Sequence, residues 1–522
     1  MEHYMPEIFW HDRKALLSVH FQKTKNTEGF YKIVTTSMQK EVRIWNFEFI
    51  REEDGGGRDA LAVNFIANLV GHGGAVNVAR FSPDGEILAS GDCGGQICLW
   101  KIGPEISPSS MADVSEQDDM PPNRENWIRT RAHLRHDSDV CALCWSADSR
   151  YLATVSNDES LIVHNVATGS RLWQIRNYRH FPNGIIWDPR GKYLVTMSTD
   201  RKLDIIDAAK GGKLKCIWSV HVKSSVICGE QLQNESYKLF HDDQLISFAR
   251  GPDFTPDGEL LIAPCAHLEV GGSNIYGTYI FRRCDFDKMR PHAFLPSPKP
   301  TFRVACNPVF FELRKDVEGN VLRLPYRVVW AVLTRDSVTV YDSQSYIPIA
   351  YVDNIHYNAL TDLAWSPDGK ILLVSSLEGY CSFIRFTMSS LGVVAKSVPE
   401  PPPSPQLIMP KRAPKRVLKS EIVAEGEGKA KTNTESAAKS SSTPLRNRSC
   451  VNTATSRSTN TLFKYLAKFQ GSPSVGDKNN TQGGAQMVDT IKKDEKVEEL
   501  PSKDGKAKRR VQLQSSPLVT ID

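Results

Sequence analysis

Apolar and polar positions alternate along this chain in short runs, each broken by a turn signal, and the unit repeats. Residues 365–386 show it plainly: Trp365, a Ser-Pro-Asp-Gly turn, an apolar run Ile371–Val374, a polar turn, then Tyr380–Phe386. Pro367 presets φ for the first corner and Gly369 tolerates positive φ, so Ser366–Gly369 is predicted to reverse the chain between antiparallel strands. Ile371–Val374 is the expected buried strand, with Tyr380–Phe386 the next one out.

Seven related units follow from the pattern. The first runs from about Ile8 to Phe47 and closes at Trp45; the second contains Gly71-His72, the turn Ser82–Gly85 and a closing Trp100. Further units close near His164, Ile206, Ile280, Tyr341 and Ile384. A Gly-His pair, a turn and a closing Trp at this spacing mark a WD40 propeller blade. The predicted fold is all-β, a seven-bladed WD40 β-propeller over residues 1–392 followed by a disordered basic C-terminal tail over 393–522. Such a ring leaves no long exposed edge. Stretches 51–65, 103–132 and 229–250, polar or rich in Gly, Pro and Asp, are expected to be inserted surface loops.

Blades of this kind are pinned by hydrogen-bonded His, Ser/Thr, Asp and Trp. His72, Trp100, Asp158 and Asp200 are assigned to that structural role, with Ser156 and Ser198 close by. Other units carry Gln39, Gly94, Arg335 or Glu378 at the Asp position, so most blades are expected to rely on apolar packing.

Composition then divides the chain. All ten Trp lie at or before Trp365, and from residue 397 the only aromatics are Phe463, Tyr465 and Phe469. That tail holds 22 Lys+Arg against 13 Asp+Glu, which leaves the preceding residues near −4 out of a whole-chain +5. A basic arm suits anionic partners, nuclear import or an acidic protein surface. Rich in Ser, Thr, Lys and Pro, it cannot bury enough apolar area to offset its chain entropy.

Eleven Cys without regular spacing indicate a reducing compartment. Cys141 and Cys144 lack a second Cys/His pair at zinc spacing and are assigned to the core. A signal peptide or a run of transmembrane length is not found, so a soluble intracellular protein with no membrane partner is expected. Candidate chemistry also fails. Gly55–Gly57 has no following Lys-Ser/Thr, Gly91–Gly95 lies between strands rather than before a helix, and His11-Asp12 and His241-Asp242-Asp243 splay apart on strands. The expectation is a non-enzyme without cofactor or metal.

Three tail segments carry binding patterns. Arg509 and Arg510 suit carboxylates on an acidic partner, while Val511 and Leu513 alternate as an added strand requires. Lys411, Arg412, Lys415 and Arg416 form a nuclear-import cluster. Leu462, Tyr465, Leu466 and Phe469 share one face of a helical turn and suit helix docking.

Several stretches go beyond the generic repeat. Pro6-Glu-Ile-Phe-Trp-His-Asp12, Leu239-Phe-His-Asp-Asp243, Asp253-Phe-Thr-Pro-Asp-Gly258, Cys306-Asn-Pro-Val-Phe-Phe-Glu-Leu313 and Tyr326-Arg-Val-Val-Trp330 are among them. Over about residues 1–392 the chain resembles the WD40 subunits of the CAF1B type found in chromatin assembly factor 1, with Hir-type histone chaperones as nearest kin. The resemblance implies a nuclear scaffold assisting deposition of histones H3 and H4 on newly replicated DNA. Its implied partners are the large subunit and the second WD40 histone-binding subunit of that factor, with histone contact direct or indirect. It further implies that Arg509, Arg510, Val511 and Leu513 dock the anti-silencing function histone chaperone. Residues 461–469 resemble a degenerate sliding-clamp box, with Thr459 where Gln is usual. A Hir-type replication-independent chaperone, or a nuclear adaptor such as a ubiquitin-ligase substrate receptor, are the alternatives.

Overall fold

A computed structural model describes residues 1–23, 30–50, 59–104, 121–227, 230–245, 247, 249–317 and 319–396. Seven antiparallel sheets make the blades of a β-propeller. Each blade begins on an inner strand at the central channel and steps outward. The seven expected closing positions, from Trp45 to Ile384, all fall on third strands.

The turn that joins first to second strand is built the same way in successive blades. In blade seven the Ser366 hydroxyl donates to Asp368 at 2.6 Å and accepts the Ile371 N–H at 3.0 Å. The Gly369 N–H closes the reversal on the Ser366 carbonyl at 2.9 Å, with Gly369 at φ +69°. Ser82 and Asp84 repeat this in blade two, Ser146 and Asp148 in blade three, and Thr255 and Asp257 in blade five. The short side chain supplies the local bonds that a tight turn needs, so each repeat writes its own corner.

Inner strands are covered on both faces. Every residue of Val76–Phe81 in blade two and Val140–Trp145 in blade three is buried. Outer strands such as Lys213–Ile217 are mostly exposed on the rim. Near the junction of blades seven and one, Trp10 is fully buried, edge-on to Trp45 at 5.0 Å and tilted against Phe383 at 6.1 Å. Adjacent blades are also joined directly: Trp145 donates its indole N–H to the Arg80 carbonyl at 2.9 Å, and Trp365 to the Ala305 carbonyl at 3.0 Å.

The ring closes on a strand from the chain's start. Glu2–Tyr4 pairs antiparallel with Cys381–Arg385 and supplies the outermost strand of blade seven. The first unit therefore begins after a segment that belongs to the last blade.

The expected loop boundaries shift in three places. Of 51–65, residues from Ala60 lie in the outer strand Ala60–Val70 of blade one. Within 103–132, Trp127–Arg129 pairs with the third strand of blade two, and Leu134–Arg135 continues that outer position. Within 229–250, Glu230–Lys238 pairs with Ser219–Ile227 as a separate two-stranded hairpin. In Ala60–Val70 only Phe65–Ala67 and Leu69 are buried, and in Trp127–Arg129 and Leu134–Arg135 only Trp127 and Leu134, so regular alternation does not stand out there against polar loops.

After blade seven a helical turn, Met388–Leu391, leads back to blade six. There the Glu312 N–H bonds the Val393 carbonyl at 2.7 Å and the Ala395 N–H the Phe310 carbonyl at 2.9 Å. Among the described residues, no helix is long and apolar enough to cross a membrane. The tail assignments (411–416, 461–469, 506–518) lie outside the described residues.

Candidate functional site

Two sets of polar side chains are buried: those that pin individual blades, and those that face the central channel. In blade two, His72 Nε2 meets the Ser90 hydroxyl at 2.6 Å and Nδ1 meets Asp92 Oδ2 at 3.0 Å, while the Trp100 indole N–H donates to Ser90 at 2.8 Å. The carboxylate is Asp92, two residues before Gly94. Burial opposes charge on His72, but the bonds to Asp92 and Cys98 outweigh it and lift its pKa to about 8.

Blade three repeats the set. His136 contacts Asp158 at 2.9 Å and Thr154 at 2.8 Å. Against the cost of burial, hydrogen bonds from His136 and Ser160 hold the Asp158 carboxyl well below its usual range. His164, at the closing position, is buried and pushed down to about 3 by desolvation.

Other blades use substitutes. In blade one, His11 Nε2 contacts the Thr35 hydroxyl at 3.0 Å, and the Trp45 indole donates to that oxygen at 2.9 Å. In blade four Asp200 contacts Ser198 and Lys202, while the Tyr178 hydroxyl meets Thr196 at 3.0 Å in the place a His takes elsewhere. In blade seven His356 bonds the Ser382 hydroxyl at 2.9 Å and stands 3.3 Å from Glu378, one methylene longer than Asp. Five blades thus carry a polar pin, more than the expectation of apolar packing allowed. The His and Tyr members sit in the loop before each inner strand; in blades two, three, four and seven they stand 28 residues before the closing residue, and His11, 34 before Trp45, departs from that spacing.

The channel set is different in kind. The channel has a volume of about 430 Å³ and is lined by the inner strands of all seven blades. Asp362 of blade seven is its hub. One carboxylate oxygen, Oδ2, accepts the Val19 N–H of blade one at 3.0 Å and Arg80 Nη2 of blade two at 2.9 Å. Arg303 of blade six turns its Nε toward the other oxygen. Arg80 Nη1 donates to the Ser18 hydroxyl at 2.5 Å and the Ala79 carbonyl at 2.8 Å.

Beside this hub lie His20, Lys23 and Asp253. His20 Nδ1 accepts the Phe81 N–H at 3.2 Å, which leaves the ring proton on Nε2. Burial, reinforced by Arg80, Lys23 and Arg303, pushes the His20 pKa well below the ordinary value, so the ring is neutral. Burial raises the Asp253 carboxyl to about 6, against the Cys306 N–H at 2.8 Å and the charges of Lys23 and Arg303.

The His–Asp pairs are locked between strands, and the described residues include no group of three or more His, Cys, Asp or Glu placed to hold a metal. Cys141 and Cys144 are both buried, with burial raising each thiol's pKa.

Seven sheets around a channel, pinned by His–Ser/Thr–Asp–Trp sets and closed by the N-terminal strand, define a WD40-type β-propeller. Residues 1–391 match the model of the CAF1B/HIR1 beta-propeller domain, and the chain belongs to that family. It is similar to the B subunit of chromatin assembly factor 1 from Gallus gallus, 36% identical over 407 residues, which cover 76% of this chain and 69% of that protein. The Saccharomyces cerevisiae protein of the same name is 33% identical over 410 residues, covering 72% of this chain and 84% of its own length. Similarity extends to the Hir1 protein of Emericella nidulans at 28% identity, over 69% of this chain and 34% of that protein.

Proposed function

We propose that this chain is a non-enzymatic scaffold subunit of chromatin assembly factor 1, working in the nucleus to help deposit histones H3 and H4 on newly replicated DNA. The observation that carries the reading is the family match across the whole propeller, together with identity of 33–37% to the B subunits of that factor from bird, mouse and yeast. Buried, interlocked polar groups and a broad outer surface suit docking rather than turnover. In this reading the propeller engages the large subunit, which brings in the second WD40 subunit and the histones. Arg509, Arg510, Val511 and Leu513 recruit the anti-silencing chaperone, Lys411–Arg416 directs import, and Leu462, Tyr465 and Leu466 dock a helix site such as the sliding clamp. A Hir-type, replication-independent role is the second reading, favoured by the family model's inclusion of Hir1 and weakened by the lower identity to it.

The test is affinity capture from nuclear extract with the full chain and with an Arg509→Ala, Arg510→Ala variant, identified by mass spectrometry. The expected result is the large assembly subunit with both baits and the anti-silencing chaperone with wild type alone. Recovery of Hir-complex subunits without the large assembly subunit supports the second reading. Ubiquitin-ligase components without histone chaperones would overturn both.

A further inference from the structure

We propose that the central channel binds a small phosphate-class oxyanion, held by Lys23, His20 and Arg303. The argument rests on donors and acceptors. Lys23, Arg80 and Arg303 bring three positive charges to the channel, and Asp253 and Asp362 bring two carboxylates. Arg80 is committed through both Nη atoms to Asp362, Ser18 and the Val19 and Ala79 carbonyls. The other donors are not. Among the described residues, Lys23 has no ion-pair or hydrogen-bond partner, and Arg303 is matched only by its Nε against Asp362. His20 spends Nδ1 on the Phe81 N–H and so offers Nε2–H.

All three line the same channel, and His20 feels the charges of both Lys23 and Arg303. An ammonium, an imidazole N–H and the free edge of a guanidinium thus converge on one cavity with more donors than acceptors. A ligand that matches them is acceptor-rich, donor-poor and negative. A tetrahedral oxyanion meets all three conditions, and the cavity of about 430 Å³ admits either a free ion or a small phosphorylated metabolite. Lys23 keeps solvent-accessible surface that supplies an entrance, while burial around its ammonium lowers its pKa and the Asp253 charge opposes that shift. Asp253, beside Lys23 and Arg303, serves as the internal counter-charge that the ligand supplants. This site is independent of the scaffold role.

The experiment is isothermal titration of the full chain at physiological salt with inorganic phosphate and, separately, with inositol hexakisphosphate, using unphosphorylated inositol as control. Wild type is compared with Lys23→Gln and Arg303→Met, which share its basic tail, so that tail binding cancels in the comparison. Expected is saturable one-site binding of at least one phosphate probe, none of inositol, a Kd weakened tenfold or more by each variant, and a shift of the His20 ring nitrogen resonances on addition. Tighter binding of inorganic phosphate assigns a free ion; preference for the hexakisphosphate assigns a phosphorylated metabolite. Because Arg303→Met also disturbs Asp362, Lys23→Gln at the channel mouth is decisive. Equal affinities in wild type and Lys23→Gln, or no saturable binding of either phosphate probe, overturn the proposal.

Discussion

Asp362 of blade seven and Arg80 of blade two meet at 2.9 Å although blade one lies between them. With Val19 and Arg303 on the same carboxylate, one side chain ties together four of the seven blades across the point where the ring closes.

Asp362→Asn should therefore cost far more than a rim substitution. The amide keeps an acceptor for Val19 but leaves two guanidinium groups without their counter-charge, a loss of about 3–5 kcal/mol by analogy with broken buried pairs. Denaturant unfolding checks it; a midpoint within error of wild type would remove Asp362 from this role.

His72 makes stability depend on pH. Its folded pKa of about 8 exceeds the ordinary 6.5, so the stabilisation is fully present below 6.5 and lost as pH rises through 8. A His72→Gln variant should lag wild type most near pH 6, by about 2 kcal/mol, and converge on it above pH 8. His11 and His164, both held near 3, act the other way and weaken the fold as pH falls below 6.5. Melting curves of both proteins from pH 5.5 to 9 separate the two effects.

Gly184 occupies the inner strand of blade four where a Cβ would sit 1.6 Å from the Arg250 carbonyl oxygen. That carbonyl is backbone and cannot swing aside. Gly184→Ala should destabilise by about 3 kcal/mol or more, measured by thermal unfolding, whereas Gly212→Ala, with open space around it, should not.

Removing residues 1–5 should leave the Cys381–Arg385 strand as an uncovered edge. Lower melting temperature and concentration-dependent association in light scattering are the expected outcomes.

Much of this was legible in the sequence because the repeat states its corners locally. Ser366, Pro367, Asp368 and Gly369 act within one turn, and in blades two, three, four and seven the closing residue follows that turn by 15 positions. What stayed hidden depends on distance. His3 reaches Ser382 across 379 residues, and no local pattern announces such a pairing. Asp92 escaped because the position counted back from Trp100 falls on Gly94. Tyr178 and His356 lie 28 residues before their closing positions, as His72 does before Trp100, so that interval finds them; His11, 34 before Trp45, breaks it. The channel cluster joins His20 and Lys23 of blade one to Arg303 of blade six, and only closure of the ring brings the two blades together.

The N-terminal strand of blade seven also sets an order of events. Glu2–Tyr4 leaves the ribosome well before its partner Cys381–Arg385, which is made about 380 residues later. At ordinary synthesis rates of about 5–20 residues per second, that segment waits roughly 20 to 80 s without its native neighbour. Blades one to six can each pair within themselves as they emerge, so the ring's final seam is the one step that nascent folding cannot complete early.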